Sequence, residues 1–115
     1  SDKVPSFNVI GNSPLVLRES LLDEVYTMGE NFVEAAKRIV SPGMNGPFCI
    51  EGVYDENAKF TSFEFSARIV AGSNIYMDGS PYYSLLFNEP MSMGKRIARE
   101  IKTATESNQL DKITT

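Results

Sequence analysis

FCIEGVYDENAKFTSFEFSAR, residues 48–68, sets two segments rich in β-branched and aromatic residues on either side of DENAK, residues 55–59. Short apolar-and-polar runs flanking a cluster of turn-forming residues predict a β-hairpin, with strands from Phe48 to Tyr54 and from Phe60 to Arg68. Successive side chains of a strand point to opposite faces, so the pairing register decides which residues share a face. With a connection of two or four residues centred on Asn57 and Ala58, paired residue numbers sum to 115 and Glu51 stands opposite Glu64. An odd-length loop or a bulge would set Glu51 against an aromatic position instead.

In the even register, Phe48, Ile50, Tyr54, Phe63, Phe65 and Ala67 make an apolar face. Glu51, Glu64, Ser66 and Arg68 gather on the other. Like charges directly opposed on a ladder destabilise it, by an amount on the order of 0.2–1 kcal/mol. Two carboxylates roughly 5 Å apart suit Mg²⁺, which takes one or two protein carboxylates and completes its shell with water and substrate phosphates. Arg68 could then hold a phosphate oxygen. The competing reading is a solvated, screened pair that Arg68 neutralises.

The rest of the chain restricts the chemistry. At 115 residues, 42% hydrophobic and 23% charged, it fits one globular domain with a core large enough for independent folding. A net charge of −4 supplies no general basic field, which disfavours binding to nucleic acid through phosphates. The single cysteine, Cys49, excludes a disulfide within the chain, and the absence of histidine excludes a Ser-His-Asp site and makes zinc a poor fit. No apolar run approaches 18 residues and no secretory pattern opens the chain, so a soluble, cytoplasmic protein with no membrane partner is expected.

Upstream, FNVIGNSPLVL from Phe7 to Leu17 predicts a short strand broken by a turn with Asn12 at its tip. From Ser20 to Val40 the apolar spacing predicts a long amphipathic helix, started by a Ser20–Asp23 capping box, weakened at Gly29 and ended at Ser41-Pro42-Gly43. Beyond Arg68, the glycines and Pro81 suggest a long loop. A second amphipathic helix runs from Ser92, packed through Met91 and Met93, and the tail from Asn108 should fray. The expected fold is α+β, an antiparallel sheet with a central hairpin packed against two amphipathic helices, forming a single domain over residues 1–115.

Glu51 followed by Glu64-Phe65-Ser66-Ala67-Arg68 resembles the metal-binding hairpin of the ATP-grasp superfamily, with Ser66 where that pattern usually has Asn. GNSPLVLRESLL, GPFCIEGVYD, FEFSARIVAGSNIYMDGSPYYSLLF and EPMSMGKRIAREI extend the likeness over essentially the whole chain. Together they resemble the C-terminal region of the archaeal formate-dependent purine biosynthesis ligases, the formate-phosphoribosylaminoimidazolecarboxamide ligase family. That resemblance implies a part of a longer enzyme that uses ATP to activate formate as formyl phosphate and formylates AICAR. It implies Glu51 and Glu64 as ligands of Mg²⁺, or of Mn²⁺ in its place, Asn12 as an AICAR contact, and Arg68 as a catalytic phosphate ligand. It further implies an N-terminal remainder of the same enzyme, homo-oligomers at full length, and little activity in this chain by itself. The reading from a different class is a stand-alone module that binds a nucleotide or assembles subunits without turnover.

Overall fold

A computed structural model of the chain describes residues 3–114. Helix α1 spans Leu22–Ile39, strands β1 and β2 span Cys49–Tyr54 and Phe60–Ser66, and helices α2 and α3 span Pro81–Phe87 and Met93–Glu106. Three single 3-10 turns, at Glu19–Leu21, Ala71–Ile75 and Leu110–Lys112, complete the order. The α+β class is borne out, with β1 and β2 forming a two-stranded antiparallel sheet.

Helix α1 has the charge order a helix dipole favours, Asp23 and Glu24 in the first turn and Lys37 and Arg38 in the last. The capping box does not form. Ser20 falls inside the 3-10 turn, and the helix begins after Leu21 with no side-chain cap. Gly29 does not interrupt the helix, because seventeen better helix formers around it outweigh a cost of about 1 kcal/mol. The apolar stripe of α1 covers one face of the hairpin: the Phe32 ring stacks on Phe48 at 5.6 Å and tilts against Phe65 at 4.7 Å.

The hairpin closes around Asp55. Its Oδ1 accepts from the Asn57 and Lys59 backbone N–H groups, both at 2.9 Å, and its carbonyl accepts from Ala58 N–H at 3.0 Å. Ala58 takes a positive φ of 58° to complete the turn. Tyr54 pairs with Phe60. The connection therefore has five residues, an odd number, and alone it would place Phe63 opposite Glu51. A register shift between Glu51 and Gly52 adds one residue to β2, and the ladder continues as Glu51 with Glu64, Ile50 with Phe65 and Cys49 with Ser66. The two departures cancel. Phe63 is the extra residue, and instead of joining the inner face it is 67% exposed. Gly52 sits at the irregularity because nothing larger fits: a Cβ there would lie 2.3 Å from the Phe60 ring and 2.5 Å from the Thr61 carbonyl.

Four further expectations need correction. The strand from Phe7 to Leu17 is absent, and residues 3–18 carry no regular secondary structure. β2 ends at Ser66, so Arg68 lies in a bend beyond the strand. The predicted long loop contains α2, which starts as a helix should: Ser80 Oγ accepts from Tyr82 N–H, Pro81 takes a first-turn position, and Asn88 closes the end with φ 55°. Helix α3 begins where expected, capped by Ser92 Oγ accepting from Lys95 N–H at 3.1 Å. Its Arg96 guanidinium lies over the rings of Tyr83 and Phe87, and Arg99 lies over Phe87 at 4.6 Å. The tail does not fray at Asn108; the carbonyl of Lys112 accepts from Asn45 Nδ2 at 3.0 Å.

Met91 is fully buried, and Gly79 (φ 81°) passes so near its carbonyl that a Cβ would stand 1.8 Å from the oxygen. Among the described residues only Ala104 is buried beside it. The expectation of a core sufficient for independent folding is therefore overturned. The radius of gyration, 16.6 Å, exceeds the value of about 13 Å expected for a globule of this length. The apolar residues are present, but Val4, Phe7, Val9, Ile10, Leu85 and Leu86 lie on the outside.

Candidate metal-binding hairpin

Glu51 and Glu64 are direct partners on the ladder, so both carboxylates rise from the face that α1 leaves open. Glu51 is half-buried and Glu64 exposed. Among the described residues, neither has an ion-pair partner within 4.0 Å. Among the same residues no group of three or more His, Cys, Asp or Glu could enclose a metal. That donor set fits a hard ion such as Mg²⁺, which binds through one or two carboxylates and keeps open positions for water and phosphate. It does not fit zinc, which wants four nitrogen or sulfur donors in a closed site.

Cys49 and Ser66 face each other two pairs nearer the open end of the hairpin. Alternation puts Cys49 on the carboxylate face, two residues from Glu51, and that spacing was legible although the sequence reading used the cysteine only to exclude a disulfide. Burial, reinforced by the Glu51 carboxylate, pushes the Cys49 thiol above its ordinary pKa against the pull of Arg68. The thiol stays protonated, a poor ligand for a hard cation. Ser66 presents a hydroxyl on the same face as Glu64.

Arg68 does not share the strand face. From its bend it donates through Nη1 to the neighbouring Ile69 carbonyl at 2.9 Å, and its guanidinium has no carboxylate partner within 4.0 Å among the described residues. Asn12 is exposed on the irregular N-terminal segment. Two tyrosines hold the end of that segment: Tyr76 Oη donates to the Leu15 carbonyl and accepts from the Leu15 N–H, and Tyr82 Oη donates to the Leu17 carbonyl. Sequence reading did not single out either tyrosine, because their partners lie more than sixty residues away and are backbone atoms. The structure thus brings Glu51 and Glu64 together with Cys49 and Ser66, and sets Asn12 on a separate, tyrosine-held segment.

A family model described as a domain of unknown function, DUF1297, matches residues 1–115. The chain belongs to this family. The DUF1297 chain is 91% identical over its whole length to a 5-formaminoimidazole-4-carboxamide-1-(beta)-D-ribofuranosyl 5'-monophosphate synthetase of Nitrosopumilus maritimus, and 72% identical to the protein of that name from Cenarchaeum symbiosum. In both cases it spans 34% of the relative, so it corresponds to about a third of the proteins it matches. A solved structure, an IMP biosynthesis protein PurP from Thermococcus kodakaraensis, superposes with a TM-score of 0.78 at 34% identity, covering 98% of the DUF1297 chain and 37% of that protein. The resemblance to the purine biosynthesis ligases is borne out. Among the described residues no helix is long and apolar enough to cross a membrane.

Proposed function

We propose that this chain is the C-terminal, metal-bearing part of an ATP-dependent carbon–nitrogen ligase of purine biosynthesis, which activates formate and formylates AICAR. The observation that carries the reading is the opposed pair Glu51 and Glu64, on an open hairpin face and without an ion-pair partner within 4.0 Å among the described residues. The names of its relatives support the substrate class. In this reading a formate oxygen attacks the γ-phosphorus of ATP and ADP leaves. The AICAR amine then attacks the formyl carbon, loses its proton, and phosphate departs.

Glu51 and Glu64 would hold Mg²⁺, or Mn²⁺ in its place, which when bound neutralises charge on the transferring phosphoryl group. Arg68, in the bend beyond the strand end, would present a forked and permanently charged donor to the phosphoryl oxygens. Asn12 offers two donors and an acceptor to the carboxamide or ribose of AICAR. The remaining substrate contacts belong to the part of the polypeptide outside this chain, which by itself is inactive; the assembled enzyme is a cytoplasmic homo-oligomer.

The test uses the full-length polypeptide that carries this chain, assayed for AICAR formylation with ATP and formate across a magnesium titration. Glu51→Gln and Glu64→Gln should each lower turnover by about a hundredfold or more with an unchanged circular dichroism spectrum. Unaltered magnesium dependence in both variants rejects the assignment.

A further inference from the structure

Helix α2, PYYSLLF, has no charged residue and is apolar on nearly every side, the pattern of a helix enclosed by protein. Only part of it is enclosed here. Tyr83 and Phe87, four apart, turn to α3 and lie beneath Arg96 and Arg99. Tyr82, Leu85 and Leu86, at spacings of three and four, share a neighbouring face. Tyr82 reaches the Leu17 carbonyl, whereas Leu85 is 77% and Leu86 70% exposed. Leu15 and Val16, on the segment Tyr82 holds, are exposed as well. The hydrogen bond from Tyr82 to Leu17 ties α2 to the segment before α1, so the two exposed apolar pairs lie on elements joined at that point.

The area of the whole chain indicates what covers these pairs. Its accessible surface is 9481 Å². A self-contained globule of 12.8 kDa exposes about 6,300 Å². The excess, about 3,200 Å², is several times the roughly 800 Å² that each partner contributes to a standard interface between separate proteins. An excess of that size matches a domain cut from its own core, and about two-thirds of the relatives' length lies outside this chain.

We infer that the face of α2 carrying Leu85 and Leu86, with Leu15 and Val16, is the surface on which the remainder of the same polypeptide packs, through a complementary apolar patch. This rests on the reading of the chain as one part of a longer enzyme, but not on the reaction that enzyme performs. Loss of formylation after Glu51→Gln addresses the reaction; the docking is read with no substrate present.

The experiment is maleimide labelling of Leu86→Cys in the full-length polypeptide, followed by mass spectrometry on the peptide bearing position 86, native and in denaturant, at several protein concentrations. Labelling should be at least a hundredfold slower in the native state and independent of concentration down to dilute monomer. Native labelling within a few-fold of the denatured rate overturns the inference. Protection that disappears on dilution to monomer also overturns it, in favour of a second copy of the chain as occupant. Leu85→Cys, read in the same way, decides the matter if the first variant does not fold.

Discussion

Two stretches of this chain have strand composition, and only one becomes a strand. The hairpin of β1 and β2 and the N-terminal stretch FNVIGNSPLVL are both rich in β-branched and aromatic residues. In the hairpin, Asp55 organises a turn with three hydrogen bonds from the following backbone and delivers each strand to its partner. The N-terminal stretch has turn residues too, yet its two halves do not pair; it is fastened by tyrosine hydroxyls, while Phe7 stays 90% and Ile10 100% exposed. Strand propensity is a preference for a half-buried pleated surface and yields no strand without a partner edge. Helix α1 supplies the hairpin with a covered face through Phe32, and nothing among the described residues does the same for residues 3–10.

Four substitutions, made in the full-length polypeptide, test this contrast. The largest effect is expected from Gly52→Val, which forces side-chain atoms into the Phe60 ring and the Thr61 carbonyl where the ladder changes register. It should cost about 3 kcal/mol, seen as a lowered midpoint in chemical unfolding, and should abolish metal-dependent turnover. A wild-type midpoint would show that the close approach at Gly52 does not hold the register.

Asp55→Ala removes an acceptor from two backbone N–H groups and should cost about 1–2 kcal/mol, with faster amide exchange at Asn57 and Lys59. If exchange there is unchanged, the hairpin owes its closure to α1 packing and not to its turn.

Tyr76→Phe breaks both hydrogen bonds to Leu15 and leaves the hairpin untouched. The expected loss is about 1 kcal/mol, with faster exchange confined to the Leu15 amide and its neighbours. Faster exchange spreading into β1 and β2 would mean that the two regions are one cooperative unit.

The smallest change in stability belongs to Asn12→Ala, on an exposed segment, within about 0.5 kcal/mol of the parent. Calorimetry should show weaker AICAR binding with ATP binding kept. Equal weakening of both would leave Asn12 as a turn residue only.

Several features could be read directly from the residues. Apolar spacing near 3.6 placed α1 and α3, because each helix must bury one stripe. Alternation about the DENAK turn placed the hairpin and put Glu51 opposite Glu64. The pairing was reached on an even-turn premise that the structure does not keep. The turn is odd and β2 carries an extra residue, so the register returns by cancellation, at the cost of exposing Phe63. Helix α2 was hidden because Gly79 and Pro81 read as loop residues, although Pro81 is a helix start.

What the sequence by itself determined is therefore local: the periodic elements, the hairpin and the sign of charge on its open face. All of these follow from repeat distances of a few residues along one chain. Only the tertiary structure decided the bulge, the bend that takes Arg68 off the strand, the tyrosine clamps on Leu15 and Leu17, and the bare side of α2. Each depends on backbone groups and apolar faces that meet across long separations. A stretch of sequence states what such a group prefers, but the atoms that satisfy it lie elsewhere, and for Leu85 and Leu86 they lie outside the surface this chain can close on itself.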